Sequence, residues 1–446
     1  MSRMTPVSGS YNRLVRDGWI ERDGVRLHWL EWEPEGPARE PALFLLHGLS
    51  SNARVWERMA ARLPGRRIVA MDQRSHGRSD RPASGYDMDE LVADATHVAR
   101  VLELGRPLVA GHSWGAQVAL GLAAEHPELA AGLVFVDGPA VSFSRFMTWE
   151  QAASVMQPPL PVYRDLDEAA AAQRQYSGDA WGDDLRDFVG AGVVAVEGGG
   201  FTSTLTADVR LQILRNLYDA QPELLFANVE GPILLAMSGL LWDGAPSEFA
   251  ERRRRGVDEV VELRPDAQVR WYESRHDVPL IRPAELALDV QRTAIAAAYR
   301  TLAREAAALA AKGRLDWTRP AHGDAAGWTA KDLLAHLSST QAAMPAVIGA
   351  SPAPVPAADG GDRPAFDPAR WNASQLRRRQ DRSPAQLADE MRLGAEQIHA
   401  ALLDADLSRS AAAGNFAGLP LAEAMERMLD HQRTHLGELK TALGTG

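Results

Sequence analysis

The chain of 446 residues contains no cysteine. This absence excludes a disulfide framework, a thiolate metal site and a cysteine nucleophile. It also fits a reducing compartment, and we expect the protein to be cytoplasmic. Residues 1–16 are polar and lack the apolar segment of a signal peptide. No stretch approaches the roughly 18 consecutive apolar residues that a membrane-spanning helix needs, so no membrane partner is expected.

Basic side chains are fewer than acidic ones, and the formal net charge is −11. Residues 300–446 hold 17 basic and 17 acidic side chains, so the whole acidic excess lies in residues 1–299. Because an acidic surface repels phosphates, a nucleic acid partner is not expected. Two short basic runs, Arg252 to Arg255 and Arg377 to Arg379, are expected on solvent-exposed helix faces.

A serine lies at a predicted strand-to-helix turn. The segment from Gly111 to Gly115 has the pattern G-x-S-x-G, with Ser113 at its centre. It follows the apolar run 107–110 and precedes an alanine-rich helical pattern over 117–125. This context indicates a nucleophile elbow, in which the backbone is strained and the serine hydroxyl is raised above the sheet.

A nucleophilic serine needs a base and an acid that orients it. His276 is the expected base, because it follows the strand-like segment 268–272 on a predicted loop. The favoured acid is Asp243, in a glycine-containing loop after the apolar run 232–237. Asp137, at the end of the apolar run 133–136, is the alternative acid.

Backbone N–H groups should stabilise the oxyanion of a tetrahedral intermediate. One is expected from Trp114, the residue after the nucleophile. The other is expected from Leu49, because the continuous apolar run 41–46 predicts a buried strand that ends in the loop 47–51.

These segments resemble the α/β-hydrolase superfamily over residues 18–298. The resemblance implies an α/β fold in residues 1–299, with a helical cap at about 139–231 over the serine. The nucleophile position holds serine, which argues against the branches that use an aspartate nucleophile. The family usually has glycine at the position of Ser75, so the backbone there is expected to differ slightly. No cofactor is expected for this hydrolase.

Residues 300–446 show only helical patterns and predict a four-helix bundle. His431 and His435 are four residues apart and share one helix face. His336 lies within an earlier predicted helix that begins after Thr329. Three imidazoles that converge in this way can hold a divalent metal such as Zn²⁺, Ni²⁺ or Fe²⁺, with positions left for water or substrate.

The segments around Trp328 to Leu337 and His431 to Leu436 resemble the ligand segments of DinB-like four-helix domains. This resemblance implies an all-α bundle and a metal site formed by the three histidines. It also implies a low-molecular-weight thiol as a partner, because the family includes thiol-dependent transferases and isomerases. A noncatalytic bundle that forms a homodimer is the other alternative for this domain.

The predicted function is hydrolysis of an ester, thioester or lactone of a small, largely apolar substrate. The large apolar side chains of the predicted cap suit such a substrate. A C–C bond hydrolase or an acyltransferase would use the same residues, so both stay open at this point.

Overall fold

The computed structural model of the protein describes residues 3–5, 15–157, 159–239, 248–350, 366–411, 416 and 418–445. The chain divides into two compact units, residues 1–293 and 294–446. This division and the expected boundary after residue 299 both fall within one helix, Pro283–Ala310. None of the described helices combines the length and apolar character that crossing a bilayer requires.

The strands of the first unit form one large and one small sheet. In chain order they are β1 (Arg3–Thr5), β2 (Val15–Arg22), β3 (Val25–Trp32), β4 (Arg39–Leu46), β5 (Arg66–Met71), β6 (Leu108–His112), β7 (Gly132–Val136), β8 (Val162–Tyr163), β9 (Val193–Ala195), β10 (Phe201–Ser203), β11 (Ile233–Ser238) and β12 (Gln268–Tyr272). The large sheet has nine strands in the order β1-β2-β3-β5-β4-β6-β7-β11-β12.

The large sheet changes from antiparallel to parallel at β5. Strands β1, β2, β3 and β5 pair antiparallel, whereas β5, β4, β6, β7, β11 and β12 pair parallel. The parallel strands β4, β6 and β7 are buried on both faces, which explains their continuous apolar runs. Their carboxyl ends meet at one edge, where ligands bind in open α/β sheets.

The helices of the first unit lie between these strands. They are α1 (Glu57–Ala60), α2 (Met88–Val101), α3 (Trp114–Glu125), α4 (Trp149–Met156), α5 (Leu166–Ser177), α6 (Arg186–Ala191), α7 (Ala207–Asp219), α8 (Glu248–Leu263), α9 (Val278–Ile281) and α10 (Pro283–Ala310). Helix α3 is buried on nearly every side, and this burial explains its small side chains.

The segment between β7 and β11 contains helices α4 to α7, as the predicted cap required. It also contains the small sheet β8-β10-β9, which the sequence analysis missed. These strands have only two or three residues each, too few for a pattern with period two. Two residues of this segment contact the predicted oxyanion loop, residues 47–51, or the residue after it. The Arg210 guanidinium donates to the Ser50 hydroxyl, and the Asn52 side chain donates to the Phe188 carbonyl.

The second unit is helical, as predicted. After the end of α10 it contains α11 (Ala330–Gly349), α12 (Pro368–Arg379), α13 (Pro384–Leu402) and α14 (Leu421–Ala442). Thr329 and Ser383 form the capping boxes of α11 and α13 with Asp332 and Gln386. Helix α11 packs against α12, α13 and α14 around an apolar core.

Candidate active site and metal centre

Ser113 lies at the sharp turn between β6 and α3. Its backbone has φ 53° and ψ −120°, outside the regions that non-glycine residues favour. The turn is held because the Ser113 N–H donates to the carbonyl of Val136 at 2.8 Å. Gly115 lies so close to the Leu46 and His47 carbonyls that a Cβ there would overlap them. The G-x-S-x-G spacing therefore reflects close packing of α3 against the end of β4.

The loop after β4 passes directly beside this serine. A Cβ added at Gly48 would lie 3.0 Å from the Ser113 Cβ and 3.2 Å from the His112 Nδ1. Leu49 follows in this loop and is half-buried. Trp114, whose side chain is fully buried, begins α3, and the first N–H groups of a helix have no partner within it.

His276 lies on the loop after β12, and its imidazole binds a carboxylate. Its Nδ1–H donates to the Asp137 Oδ2 at 2.6 Å. Burial opposes a charge on the ring, but this hydrogen bond and the negative charge of Asp137 outweigh it and raise the pKa of His276. The His276 ring therefore stands beside a group that stabilises its protonated form.

Asp137 follows β7 and is held by three further groups. The Ser238 N–H donates to its Oδ1 at 3.0 Å and the Ser238 hydroxyl to its Oδ2 at 2.8 Å. The Arg253 guanidinium donates to Oδ1 at 3.0 Å. Burial alone would raise the pKa of Asp137, but His276, Arg253 and the Ser238 N–H lower it to about 2.

The favoured acid of the sequence analysis, Asp243, lies outside the described residues. The structure pairs His276 with Asp137, the alternative acid. Both carboxylates follow strand-like runs in the sequence, which does not tell which one is directed at the imidazole. The expectation for Arg253 is corrected, because it was expected on a solvent-exposed helix face and is instead largely buried against Asp137.

The basic run in the second unit is corrected in the same way. Arg379 is buried and its guanidinium bonds to both carboxylate oxygens of Glu390 at 2.8 Å. A run of arginines on a helix contains positions that point inward as well as outward. Which arginine points inward depends on the partner that the helix packs against.

Sequence reasoning missed three histidines that support the site. The buried His112 donates from Nε2 to the carbonyl of His276 at 3.0 Å, and their ring centroids lie 4.8 Å apart. The Nε2 of His47 accepts the Gln73 N–H at 3.0 Å, and that of His76 accepts the Ser50 N–H at 3.2 Å. Each acceptor role requires a neutral ring. One signal for them was available, because His47 and His112 end predicted strands.

Burial keeps these rings neutral. It is the main cause that lowers the pKa of His76 to about 3 and that of His112 to about 4. Burial also lowers the pKa of His47.

The loop after β5 has a structural role. Asp72 accepts the N–H groups of Ala53 at 2.7 Å and Arg78 at 3.0 Å, and Arg74 pairs with Asp94 at 2.7 Å. Ser75 has φ 63°, so it adopts the conformation that glycine favours. The expected change of backbone at Ser75 is thus small.

The second unit brings His336, His431 and His435 together. One ring nitrogen of each lies within 4.8 Å of the others. The Nε2 atoms of His336 and His431 are 3.0 Å apart. Burial, followed by the neighbouring His435 and His431, lowers the pKa of His336 to about 3. The cluster therefore places one ring nitrogen of each of three histidines at a common point.

Glu438 fixes the orientation of one of these rings. The His435 Nδ1–H donates to the Glu438 Oε2 at 2.7 Å, which directs Nε2 toward the other two histidines. The second carboxylate oxygen, Oε1, accepts the Asp324 N–H at 2.9 Å. A carboxylate behind a ligating histidine is the usual arrangement in protein metal sites, so the residues present fit a divalent ion.

Comparison with known proteins agrees with this architecture. A family model described as alpha/beta hydrolase fold matches residues 41–180, and one described as DinB superfamily matches residues 250–439. These matches place similarity to the alpha/beta hydrolase fold in the first part of the chain and similarity to the DinB superfamily in the second. The predicted family resemblances and fold class are confirmed.

Two curated relatives are similar to part of this chain. The 2-(acetamidomethylene)succinate hydrolase of Mesorhizobium japonicum is 37% identical over 98 residues, which cover 22% of this chain and 35% of that protein. Lipase LipV of Mycobacterium tuberculosis is 33% identical over 159 residues, which cover 36% of this chain and 57% of that protein. The chain therefore spans between about a third and three fifths of these relatives.

A solved structure of an E-2-(acetamidomethylene)succinate hydrolase is also similar. Its TM-score is 0.51 at 23% identity, and the match covers 66% of this chain and 98% of that one. At this identity the likeness concerns the fold alone.

Proposed function

We propose that the first unit is a serine hydrolase that cleaves an ester, thioester or related acyl bond of a small molecule. The observation that carries the proposal is the pairing of His276 with Asp137 at the strand edge where Ser113 occupies a strained elbow. The names of the relatives, a lipase among them, support hydrolysis in general.

In the proposed mechanism Ser113 attacks the carbonyl carbon and His276 accepts its proton at Nε2. Asp137 holds the Nδ1–H and stabilises the imidazolium that forms. The N–H groups of Leu49 and Trp114 receive the oxyanion. The proton on His276 then passes to the leaving group. In the second half of the reaction His276 accepts a proton from water, the water attacks the acyl carbon, and the proton returns to the Ser113 oxygen as the acid is released.

Labelling and turnover test this proposal directly. A fluorophosphonate probe should label the intact protein, and Ser113→Ala should lose labelling together with at least about 10³-fold in acyl hydrolysis. Ser144→Ala, at an exposed serine on the cap segment, is the matched control. Turnover retained in Ser113→Ala would refute the role of Ser113. Assay of C–C bond and acyl-transfer substrates decides between the alternatives that use the same residues.

We further propose that His336, His431 and His435 bind one divalent metal ion. The support is the convergence of three imidazoles and the carboxylate of Glu438 behind His435. A metal bound there would supply a Lewis acid with open positions for water or a thiolate. This chain's contribution is to hold the imidazoles close together, with the His435 ring oriented by Glu438.

Elemental analysis tests the metal site. The protein purified without chelator should hold about one divalent ion per chain, and His431→Ala with His435→Ala should remove it. His322→Ala, at an exposed histidine of the same unit, should keep it. Equal metal content in both variants would refute the site. A thiol-dependence assay then separates a transferase from a bundle that only mediates dimerisation. The cytoplasmic location stays a prediction.

A further inference from the structure

The cap helix α7 places an arginine beside the oxyanion loop. Arg210 donates from Nη1 to the Ser50 hydroxyl, and Ser50 directly follows Leu49. The same guanidinium donates from Nε and Nη2 to the carbonyl of Met156, at 3.2 and 3.0 Å. The cation is thus held at one end of the loop that passes Ser113.

All of these partners are neutral. Among the described residues no carboxylate forms an ion pair with Arg210, whereas the largely buried Arg58 and Arg74 pair with Asp184 and Asp94. Burial lowers the pKa of the Arg210 guanidinium, and no negative charge in the described part of the chain compensates this effect. A partly buried cation without an anion is costly, so a ligand anion would be favoured there.

The guanidinium also keeps donors for such a ligand. The observed bonds use one N–H on each of its three nitrogens. A second N–H remains on each terminal nitrogen, and two such groups match the two oxygens of a carboxylate. The bond to Met156 also places the cation at the carboxyl end of α4, which is a structural role. That role leaves the remaining donors unused.

We infer that Arg210 binds a carboxylate on the acyl substrate, so that the substrate class is a monoester or related acyl derivative of a dicarboxylic acid. This inference rests on the proposed hydrolase function. It refines the expectation of a largely apolar substrate, because the apolar cap residues would contact the chain between the scissile carbonyl and the anionic end.

A matched pair of esters tests the inference. The p-nitrophenyl monoester of glutarate and p-nitrophenyl pentanoate have acyl chains of equal length, and only the first ends in a carboxylate. Wild-type protein should show at least about a tenfold higher kcat/KM for the glutarate ester, as expected for a charge-assisted hydrogen bond. In Arg210→Met the ratio of the two kcat/KM values should fall by about 10- to 100-fold.

Two further variants define the chemistry. Arg215→Met is the control, because Arg215 lies on the same helix and is exposed and paired with Asp219. It should keep the wild-type ratio. Arg210→Lys should keep part of the preference, because the charge stays and the two-pronged geometry is lost. A wild-type preference for pentanoate, or an unchanged ratio in Arg210→Met, would overturn the inference and leave Arg210 as a bridge between α4 and the loop.

A binding measurement separates this inference from the hydrolase proposal. Calorimetry with Ser113→Ala protein should show tighter binding of glutaric acid monoanilide than of pentananilide, and Arg210→Met in that background should abolish the difference. Equal binding of the two anilides counts against the carboxylate site. Absence of ester turnover and of Ser113 labelling in the wild type would instead refute the hydrolase proposal, whatever the anilides do.

Discussion

The two units of this chain each hold a functional histidine whose pKa is shifted in the opposite direction. In the first unit His276 stands against the carboxylate of Asp137, and its pKa is raised. In the second unit His336 is buried among two other imidazoles, and its pKa is lowered to about 3. The carboxylate beside His276 favours the protonated ring, whereas the surroundings of His336 favour the neutral ring, which keeps a lone pair. The first suits a general base and the second a metal ligand.

Removing the carboxylate charge behind His276 should break this contrast most strongly. Asp137→Asn should lower kcat of acyl hydrolysis by about 10⁴-fold, because the amide disfavours the productive tautomer of His276 and no longer stabilises the imidazolium. Asp243→Asn should change kcat little. Steady-state kinetics of the two variants decides the acid. A severe loss in Asp243→Asn with an active Asp137→Asn would restore the original preference.

The carboxylate behind His435 offers the matching test in the second unit. Glu438→Gln should weaken metal binding by about 10- to 100-fold, because the amide orients the His435 ring less strongly and lowers its basicity. Competition with a coloured chelator measures this affinity. Glu396→Gln, at an exposed glutamate of α13 that pairs with Arg392, is the control. Equal affinities in both variants would mean that Glu438 has no part in a metal site.

The smallest expected effect concerns Arg253. Its replacement should enlarge the difference between the pKa values of His276 and His336. Its positive charge lowers the pKa of His276 and so opposes Asp137. Arg253→Met should therefore raise that pKa. Since the base must be neutral, the acidic limb of the kcat/KM profile should move to higher pH by the same amount. Arg254→Met, whose guanidinium lies over Trp271, is the control. A limb that stays in place would contradict this account of Arg253.

The sequence predicted which strands and helices carry the candidate residues of both sites, but not every side chain that contacts those residues. Ser113 could be located because strand, turn and helix have distinct local patterns, and the three histidines because their helices were strongly periodic. Asp137 was ranked second because both candidate acids follow strands, and the choice depends on where the loops lead. Arg253 was wrongly expected on the solvent-exposed helix face because nothing in the run Arg252 to Arg255 distinguishes it from its neighbours, although its side chain pairs with Asp137.

Two elements were not given bounds by the sequence analysis, for a different reason. Helix α12 carries the basic run Arg377 to Arg379, which was expected on a helix, but its start follows a segment rich in proline, alanine and glycine. The small sheet of the cap has pairings that depend on long-range contact and not on local propensity. Neither omission altered the predicted fold class.

The neutral histidines beneath the oxyanion loop make unfolding of the first unit a proton-consuming reaction. His76 and His112 have folded-state pKa values of about 3 and about 4, whereas an unfolded histidine titrates near 6.5. Below about pH 6.5 these two histidines bind protons in the unfolded chain but stay neutral in the folded unit. Each such proton lowers the free energy of unfolding by about 1.4 kcal/mol for every pH unit of further acidification. His276, with its raised pKa, contributes in the opposite sense and is fully stabilising there. Mild acid should therefore act on the unit in two separable ways, first by reversible protonation of His276 and then by weakening the loop that we propose to receive the oxyanion.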